Sequence, residues 1–264
     1  MWRVMWRDLR SLAGASDILI TWTIREVKVR YADTRLGIGW LLVYPAAWVL
    51  LFTFLFSYLV PIPVNGAPYP VFVMSGLVPW FFFSNSTSNA VSSLKNNSNL
   101  IPKVYFPREI LPLGSVLVGL VDLCLYLVML AGLMLYYRTR TGLVLILLIP
   151  IVVTLAALTL AISLLASRLA LFRRDVQLLV PLALQFLMYC VPTFYPIEIV
   201  PSRFRTLYLL NPLAALMDGL RRILVYDSWP RWPSLLIAAG VSFAFLGFAY
   251  RDFKKAEPEF ADRL

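Results

Sequence analysis

Six apolar segments alternate with shorter polar segments along the chain. A helix rises 1.5 Å per residue and the hydrocarbon core of a bilayer is about 30 Å thick, so a crossing needs roughly 20 apolar residues. A backbone inside lipid must also satisfy its own hydrogen bonds, which favours helices. The predicted transmembrane helices are residues 39–60, 71–91, 111–137, 143–166, 178–195 and 233–250.

The distribution of Lys and Arg predicts the orientation of these spans. With the N-terminus inside, the cytosolic segments are 1–38, 92–110, 167–177 and 251–264. The outer segments are then 61–70, 138–142 and 196–232. The cytosolic set carries 17 of the 24 basic residues, and basic loops stay on the cytosolic side of a bilayer. We therefore expect a multi-pass protein with both termini in the cytosol.

The outer segment 196–232 contains a stretch, 207–226, that is nearly apolar enough to cross the membrane. Asp218, Arg221 and Arg222 argue against a lipid-facing crossing, because each costs about 2.5–3.5 kcal/mol near the bilayer centre. We predict two short helices that dip into the outer leaflet and return, shielded by protein. An amphipathic helix lying on the outer leaflet is the alternative.

Residues 17–32 predict an amphipathic helix in the cytosolic interface. Its apolar stripe would consist of Ile20, Ile24, Val27 and Tyr31, which follow helical spacing. Thr21, Arg25, Lys28, Ala32 and Arg35 lie on another face. Such a helix either anchors the chain to anionic lipid or docks a partner protein.

Composition agrees with a membrane protein. Apolar residues make up 60% of the chain and charged residues 14%, with a mean hydropathy of +0.77, whereas soluble domains are roughly 45–50% apolar. The net charge is +10, and the charged residues lie mostly between the spans. This distribution is typical of the signal that orients a multi-pass protein in the membrane, and it argues against a nucleic-acid partner. The sequence has no histidine, and Cys124 and Cys190 lie in apolar segments, which predicts buried thiols and no metal site.

Few polar residues fall within the predicted spans. Asp122 is the only acid deep in one, and it is either a paired structural residue or a site of coupling to an ion gradient. Asn85, Asn89 and Ser92 share one helical face, which predicts either a packing seam or the wall of a hydrated path.

Aromatic residues are concentrated toward the outer half of the spans. They form either an interfacial belt or a conduit in which sugar rings pack against aromatic faces. Together with the two asparagines, the candidate channel residues are Trp80, Phe81, Phe83, Asn85, Asn89, Phe186, Tyr189 and Tyr195.

The sequence contains no GxxxxGK[ST] phosphate loop, and its cytosolic segments are too short for an ATPase domain. We therefore expect no enzyme activity and no cofactor on this chain. Any ATP and Mg would be bound by a separate partner.

Five motifs in this order resemble the type-2 ABC exporter membrane subunits that move O-antigen, capsule or teichoic acid to the bacterial surface. They are RYADTRLGIGW (30–40), GLVPWFFFSNS (76–86), LIPKVYFPREILPL (100–113), FRRD (172–175), and FYPIEIVP (194–201) followed by Asn211-Pro212 and a downstream Arg. Gly39 departs from the pattern, because many relatives carry a bulky aromatic there. The resemblance covers nearly the whole chain.

The resemblance implies a half-permease in the bacterial inner membrane. It would work as a homodimer with two copies of a soluble ABC ATPase and would export a polyprenyl-diphosphate-linked glycan through a channel. Residues implied in ATPase coupling are Lys95, Asn99, Lys103, Tyr105, Arg108, Arg25, Lys28, Arg30, Arg174 and Asp175. Residues implied in the outer gate are Pro196, Asn211, Pro212 and Arg221.

Three alternatives stay open at this point. The first is a secondary transporter or flippase that relies on Asp122 and an ion gradient. The second is an ABC exporter of small lipids or drugs with the same architecture. The third is a multispan enzyme that acts on lipid-linked sugar.

Overall fold

A computed structural model of the chain describes residues 16–31, 35–64, 66–98, 106–139 and 142–260. The predicted coupling residues Asn99, Lys103 and Tyr105 lie outside these ranges. Nine α-helices occur in the described residues. They are α1 (Ser16–Tyr31), α2 (Trp40–Phe54), α3 (Tyr69–Asn96), α4 (Ile110–Tyr136), α5 (Leu148–Phe172), α6 (Val176–Cys190), α7 (Ser202–Leu209), α8 (Pro212–Val225) and α9 (Trp232–Ala256).

The predicted all-α fold class is confirmed, because the described residues form helices and short helical turns and contain no strand. Within the described ranges, four helical stretches are long and apolar enough to cross a membrane: Trp40–Leu59, Ile110–Tyr136, Leu143–Phe172 and Trp232–Glu259. Val176–Cys190 is apolar but shorter. The number of six spans and their sidedness stay predictions.

Helix α3 is the central element of the bundle. It contacts α2, α4, α5, α6 and α8, and its side chains from Val71 to Phe83 are buried. This enclosure explains how a helix of 28 residues, about 42 Å long, can carry serines and asparagines in its second half. Its neighbours, rather than lipid, cover most of its surface.

The outer faces of the surrounding helices expose large apolar side chains. Leu50 on α2, Val128 on α4, Leu178 on α6 and Leu236 on α9 are all exposed. A soluble protein would not present so much apolar surface, whereas a bilayer solvates it. The prediction that Cys124 and Cys190 are buried is wrong, because both thiols are free and exposed, where lipid accommodates them as well as a core does.

Contacts between helix ends define the two ends of the bundle. At the end that we call the α1 end, Leu94, Leu111, Leu164 and Phe253 form one apolar cluster with Trp22 packed against it. At the other end, the α8 end, helix α8 is enclosed by α3, α5 and α9. Our predicted orientation places the α1 end in the cytosol and the α8 end outside.

Helices α7 and α8 occupy the segment for which two short helices were predicted. Side chains along almost the whole of α8 are buried, including both Asp218 and Arg221. A helix lying on the leaflet surface would expose one face, so the buried α8 does not fit that alternative.

Candidate functional site

Arg221 anchors α8 inside the bundle at the α8 end. Its side chain is buried at 3% exposure, and its guanidinium donates to the carbonyls of Thr193 at 2.9 Å and Tyr195 at 3.2 Å. It also donates to the Ser75 hydroxyl at 3.3 Å and lies 4.0 Å from the centre of the Phe72 ring. A planar guanidinium with five N–H donors can satisfy several acceptors at once, so this single side chain joins α8, α3 and the segment after α6.

Gly76 on α3 makes this close approach possible. A Cβ atom at this position would lie 2.0 Å from the Thr193 carbonyl oxygen and 2.5 Å from Nη2 of Arg221. Both distances are far shorter than van der Waals contact. The glycine in the GLVPW motif is therefore needed for the backbone of α3 to meet the segment that Arg221 holds.

A polar pocket of about 150 Å³ lies next to this anchor, lined by Pro196, Glu198, Asp218 and Arg222 among others. Asp218 pairs with Arg222 at 3.1 Å and with Arg231 at 3.5 Å. Among the predicted outer-gate residues, the structure thus brings Pro196 and Arg221 to the same pocket. Pairing keeps these charges tolerable in a partly buried site.

Asn211 and Pro212, the other two predicted gate residues, begin α8. The Asn211 side chain accepts a hydrogen bond from the backbone N–H of Leu213 at 3.0 Å, and Pro212 takes the first helical position. Both residues suit a helix start, because Asn caps free N–H groups and Pro lacks one.

At the α1 end, helix α1 packs against α4. Arg30 forms an ion pair with Asp122 at 2.8 Å, and Trp22 lies so close to Gly114 that a Cβ there would be 2.8 Å from its ring. The two contacts are eight residues apart on each helix, so α1 follows α4 for about 12 Å.

The predicted apolar stripe of α1 stays a prediction. Ile20 and Ile24 are exposed, as side chains that face lipid would be, while Trp22, Glu26 and Arg30 face α3 and α4. Helix α4 offers a glycine surface for the Trp22 indole and a buried carboxylate for the Arg30 guanidinium. Arg25 and Lys28 remain exposed, and the Arg25 guanidinium lies 5.1 Å from the centre of the Trp22 ring.

Two adjoining cavities among α1, α2, α3 and α4 form what we call the polar cleft. The first, of about 300 Å³, lies nearer the α1 end and is lined by Trp22, Glu26, Arg30, Asn89, Ser92 and Asn96 among others. The second, of about 350 Å³, is lined by Arg30, Trp40, Leu41, Tyr44, Asn85, Asn89, Asp122 and Tyr126. Arg30 and Asn89 line both cavities, so the two lie side by side.

The predicted polar face of α3 lies along this cleft. Asn85, Asn89 and Ser92 all line it, so this face borders open space rather than only a helix seam. Asp122 places one carboxylate oxygen on Arg30, while its other oxygen is buried and accepts no hydrogen bond from the described residues. The cleft thus combines amides, a carboxylate paired with a guanidinium, and aromatic walls.

The predicted channel aromatics separate into two groups. Trp80, Phe81 and Phe83 are buried in the core of the single chain, so in this structure they do not present a surface to a substrate. Phe186 and Tyr189 on α6 are more than half exposed. Tyr195 is half-buried, and its hydroxyl donates to the Tyr189 carbonyl at 2.9 Å.

Sequence reasoning missed an aromatic stack at the α8 end. The Phe194 ring stacks on Phe52 at 5.0 Å and on Phe56 at 5.6 Å between ring centres. The Tyr69 hydroxyl donates to the Phe194 carbonyl at 2.8 Å. Phe194 opens the FYPIEIVP motif, but its partners come from a different span, so the local pattern carried no signal for them.

The described coupling residues lie at the α1 end. Lys95 donates to the Gln177 side chain at 3.2 Å, which brings the end of α3 to the start of α6 near the exposed Arg174 and Asp175. Arg108 was predicted to contact a partner, but its guanidinium donates to the carbonyl of Glu257 in the same chain.

Comparison with known proteins decides the family. The family model described as ABC-2 type transporter matches residues 19–225, which include α2 to α8 and most of α1. The chain belongs to the ABC-2 type transporter family. The resemblance to type-2 ABC membrane subunits stated from the motifs is therefore confirmed.

Relatives of this ABC-2 protein are similar over most of their length. The O-antigen export system permease protein RfbA of Klebsiella pneumoniae is 31% identical over 94% of this chain and 95% of its own. The protein of the same name from Myxococcus xanthus is 31% identical over 98% of this chain and 100% of its own. The polysialic acid transport protein KpsM of Escherichia coli is 24% identical over 74% of this chain and 76% of its own.

Proposed function

We propose that this chain is the channel-forming subunit of an ATP-driven exporter of lipid-linked, O-antigen-like polysaccharide across the bacterial inner membrane. It would act as a homodimer with two ABC ATPase subunits, which would bind ATP and Mg. Family membership supports a transport role with an ATPase partner. The names of the relatives, which export O-antigen or transport polysialic acid, support a glycan substrate.

The polar cleft is the observation that carries the substrate assignment. A sugar ring offers hydroxyl groups for amide and carboxylate acceptors and C–H faces for aromatic rings. The cleft supplies the amides of Asn85 and Asn89 and the rings of Trp40 and Tyr44. A pocket for a small lipid or drug is usually lined mainly by apolar groups, with few polar ones.

Arg30 gives the cleft a cation where the predicted cytosolic surface meets the membrane. It lines both cavities, and a guanidinium suits a phosphate oxygen because it donates in a planar fork. A glycan joined to lipid through a diphosphate carries such oxygens. The cleft therefore suits both parts of the proposed substrate.

The contact between Asp122 and Arg30 bears on the ion-gradient alternative. The Asp122 carboxylate lies 2.8 Å from the Arg30 guanidinium, so this acid has a partner within the chain. The paired structural role is the interpretation that this contact supports.

The test is export of surface glycan by cells that carry variants of this chain. We expect Asn85→Leu and Asn89→Leu to reduce export at normal protein level, since both remove polar groups from the cleft. Ser88→Leu is the matched control, because it adds the same side chain on α3 at a residue that does not line the cleft. Equal export by all three variants would refute the proposal that the exported glycan contacts the polar cleft.

A further inference from the structure

The segment that follows the last apolar helix folds back on the base of the first cytosolic loop. Helix α9 continues into a short helical turn, Glu257–Glu259, and Phe260 after it is fully buried. The Phe260 ring meets Phe253 at 5.1 Å and Phe172 at 6.2 Å between ring centres. Phe106, on the returning limb of the loop, packs against the same cluster.

Polar contacts hold the loop limb to this tail at two consecutive residues. The Glu109 carboxylate is almost fully buried and pairs with the Lys254 ammonium at 2.7 Å. The backbone N–H of Arg108 donates to the Glu257 carboxylate at 3.3 Å, and the Arg108 guanidinium donates to the Glu257 carbonyl. Lys254 also donates to Glu257 at 3.0 Å, so both attachments share one network.

A buried carboxylate is costly unless a cation and hydrogen bonds compensate for lost water. Glu109 has a cation and hydrogen bonds, because the Lys254 ammonium and the Tyr250 hydroxyl, at 3.4 Å, both donate to its carboxylate. Burial acts to lower the pKa of Lys254, but the hydrogen bonds and charges of Glu109 and Glu257 outweigh it and raise that pKa. Lys254 therefore keeps its ammonium charge at neutral pH.

The position of this network points to a mechanical role. Residues 106–110 connect the loop expected to touch the ATPase to α4, and α4 contacts both α1 and α3. If residues 106–110 were flexible, a displacement of the loop by the partner would bend them and would not reach the helices. Because they are fixed to α9 and to the apolar cluster at the α1 end, the displacement is transmitted to the bundle.

We propose that residues 250–260 are a positioning element for the ATPase-coupling loop, with Glu109, Lys254 and Glu257 as its positioning residues. The inference rests on the proposed function, since it assumes an ATPase that acts on this loop. It extends the coupling apparatus to the C-terminal segment, about 145 residues away in sequence.

The test uses the full chain assembled with its ATPase in proteoliposomes, where ATP hydrolysed and glycan exported are both counted. Lys254→Met and Glu257→Gln remove charges while nearly preserving side-chain volume. We expect both complexes to assemble, with export per ATP lowered about fivefold or more, as for other coupled sites. Lys254→Arg keeps the ion pair and should keep the wild-type ratio.

Amide hydrogen exchange of residues 106–110 provides a second readout that does not depend on transport. Exchange there should be faster in Lys254→Met than in the wild-type chain. Arg168→Met is the matched control, because it breaks an ion pair with Asp252 of α9 that includes no residue of 106–110. We expect this control to lower stability and to leave both readouts unchanged.

Wild-type values of both readouts in Lys254→Met and Glu257→Gln would overturn the inference while leaving the proposed function in place. An equal fall of the ratio in Arg168→Met would also overturn it, since the effect would then be general destabilisation. A wild-type complex that exports no glycan with ATP would instead refute the proposed function, and the ATPase-coupling role with it.

Discussion

Replacement of Gly76 by alanine is the sharpest test of how α8 is held at the α8 end. The added Cβ would lie 2.0 Å from the Thr193 carbonyl oxygen, which is backbone and cannot turn away. It would also lie 2.5 Å from the Arg221 guanidinium, which donates to the same carbonyl, so both groups must be displaced. The segment that carries Thr193 must therefore move by about 1 Å or more, away from the hydrogen bonds that Arg221 makes there.

The expected cost follows from three contributions. Overpacking a tight contact costs about 1–3 kcal/mol. Weakening one charge-assisted hydrogen bond of Arg221 adds about 1.5–3 kcal/mol. The higher helix propensity of alanine relative to glycine stabilises the folded chain by about 1 kcal/mol. The net loss of folding free energy should be about 3 kcal/mol, or more if further hydrogen bonds break.

Thermal unfolding of the purified chain in mild detergent measures this loss. Gly132→Ala on α4 is the matched control, because nothing lies within 4 Å of its added Cβ and the helix-propensity gain is the same. We expect Gly76→Ala to unfold at a clearly lower temperature and Gly132→Ala to unfold at or above the wild-type temperature. Equal midpoints for the two variants would refute the close packing of α3 against the Thr193 segment.

Three further predictions concern charged side chains. Arg30→Met should lower the free energy of unfolding by about 3 kcal/mol, because it leaves the buried Asp122 carboxylate unpaired. Adding Asp122→Leu should restore most of this loss. A double variant that is no more stable in thermal unfolding than Arg30→Met would contradict the pairing. The pKa of Lys254 is raised in the folded chain. The stability that its ammonium contributes is therefore complete below the pKa of an unfolded lysine, about 10.4, and is lost as the pH rises through the higher pKa of the folded state. The melting difference between wild type and Lys254→Met should thus stay constant from about pH 7 to 9, and a decline in that range argues against the network. Arg221→Lys should lower the melting temperature, because an ammonium lacks the planar fork with which the guanidinium reaches its three acceptors. The exposed Arg203→Lys is the control and should leave the melting temperature unchanged. Equal melting temperatures for the two variants would refute the role of Arg221 in holding α8.

Much of the helical architecture could be predicted because the bilayer sets a simple requirement of apolar length. The predicted spans 111–137 and 143–166 overlap α4 and α5, the two most hydropathic helices. The central role of α3 could not be predicted in this way, because burial by neighbouring helices and burial by lipid leave similar apolar sequences. Only the packing shows that the FFF sequence of 81–83 lies in the core.

Partners distant in sequence explain most of what the pattern did not reveal about the sites. Arg221 stood out because a charge is expensive in a membrane segment, but two of its acceptors are backbone carbonyls, which any residue would supply. Asp122 stood out for the same reason, yet its partner Arg30 lies 92 residues earlier. The contact of Glu109 with Lys254 left no local signal, because each belongs to an ordinary charged boundary of an apolar segment.

Co-purification from the native host tests the central claim most directly. The tagged chain is extracted in mild detergent, its stoichiometric partners are identified by mass spectrometry, and the isolated complex is assayed for ATP-dependent glycan movement in proteoliposomes. We expect two copies of this chain with two copies of an ABC ATPase, and glycan movement that stops when ATP is withheld. A chain that purifies without an ATPase and moves glycan in the absence of ATP would contradict it.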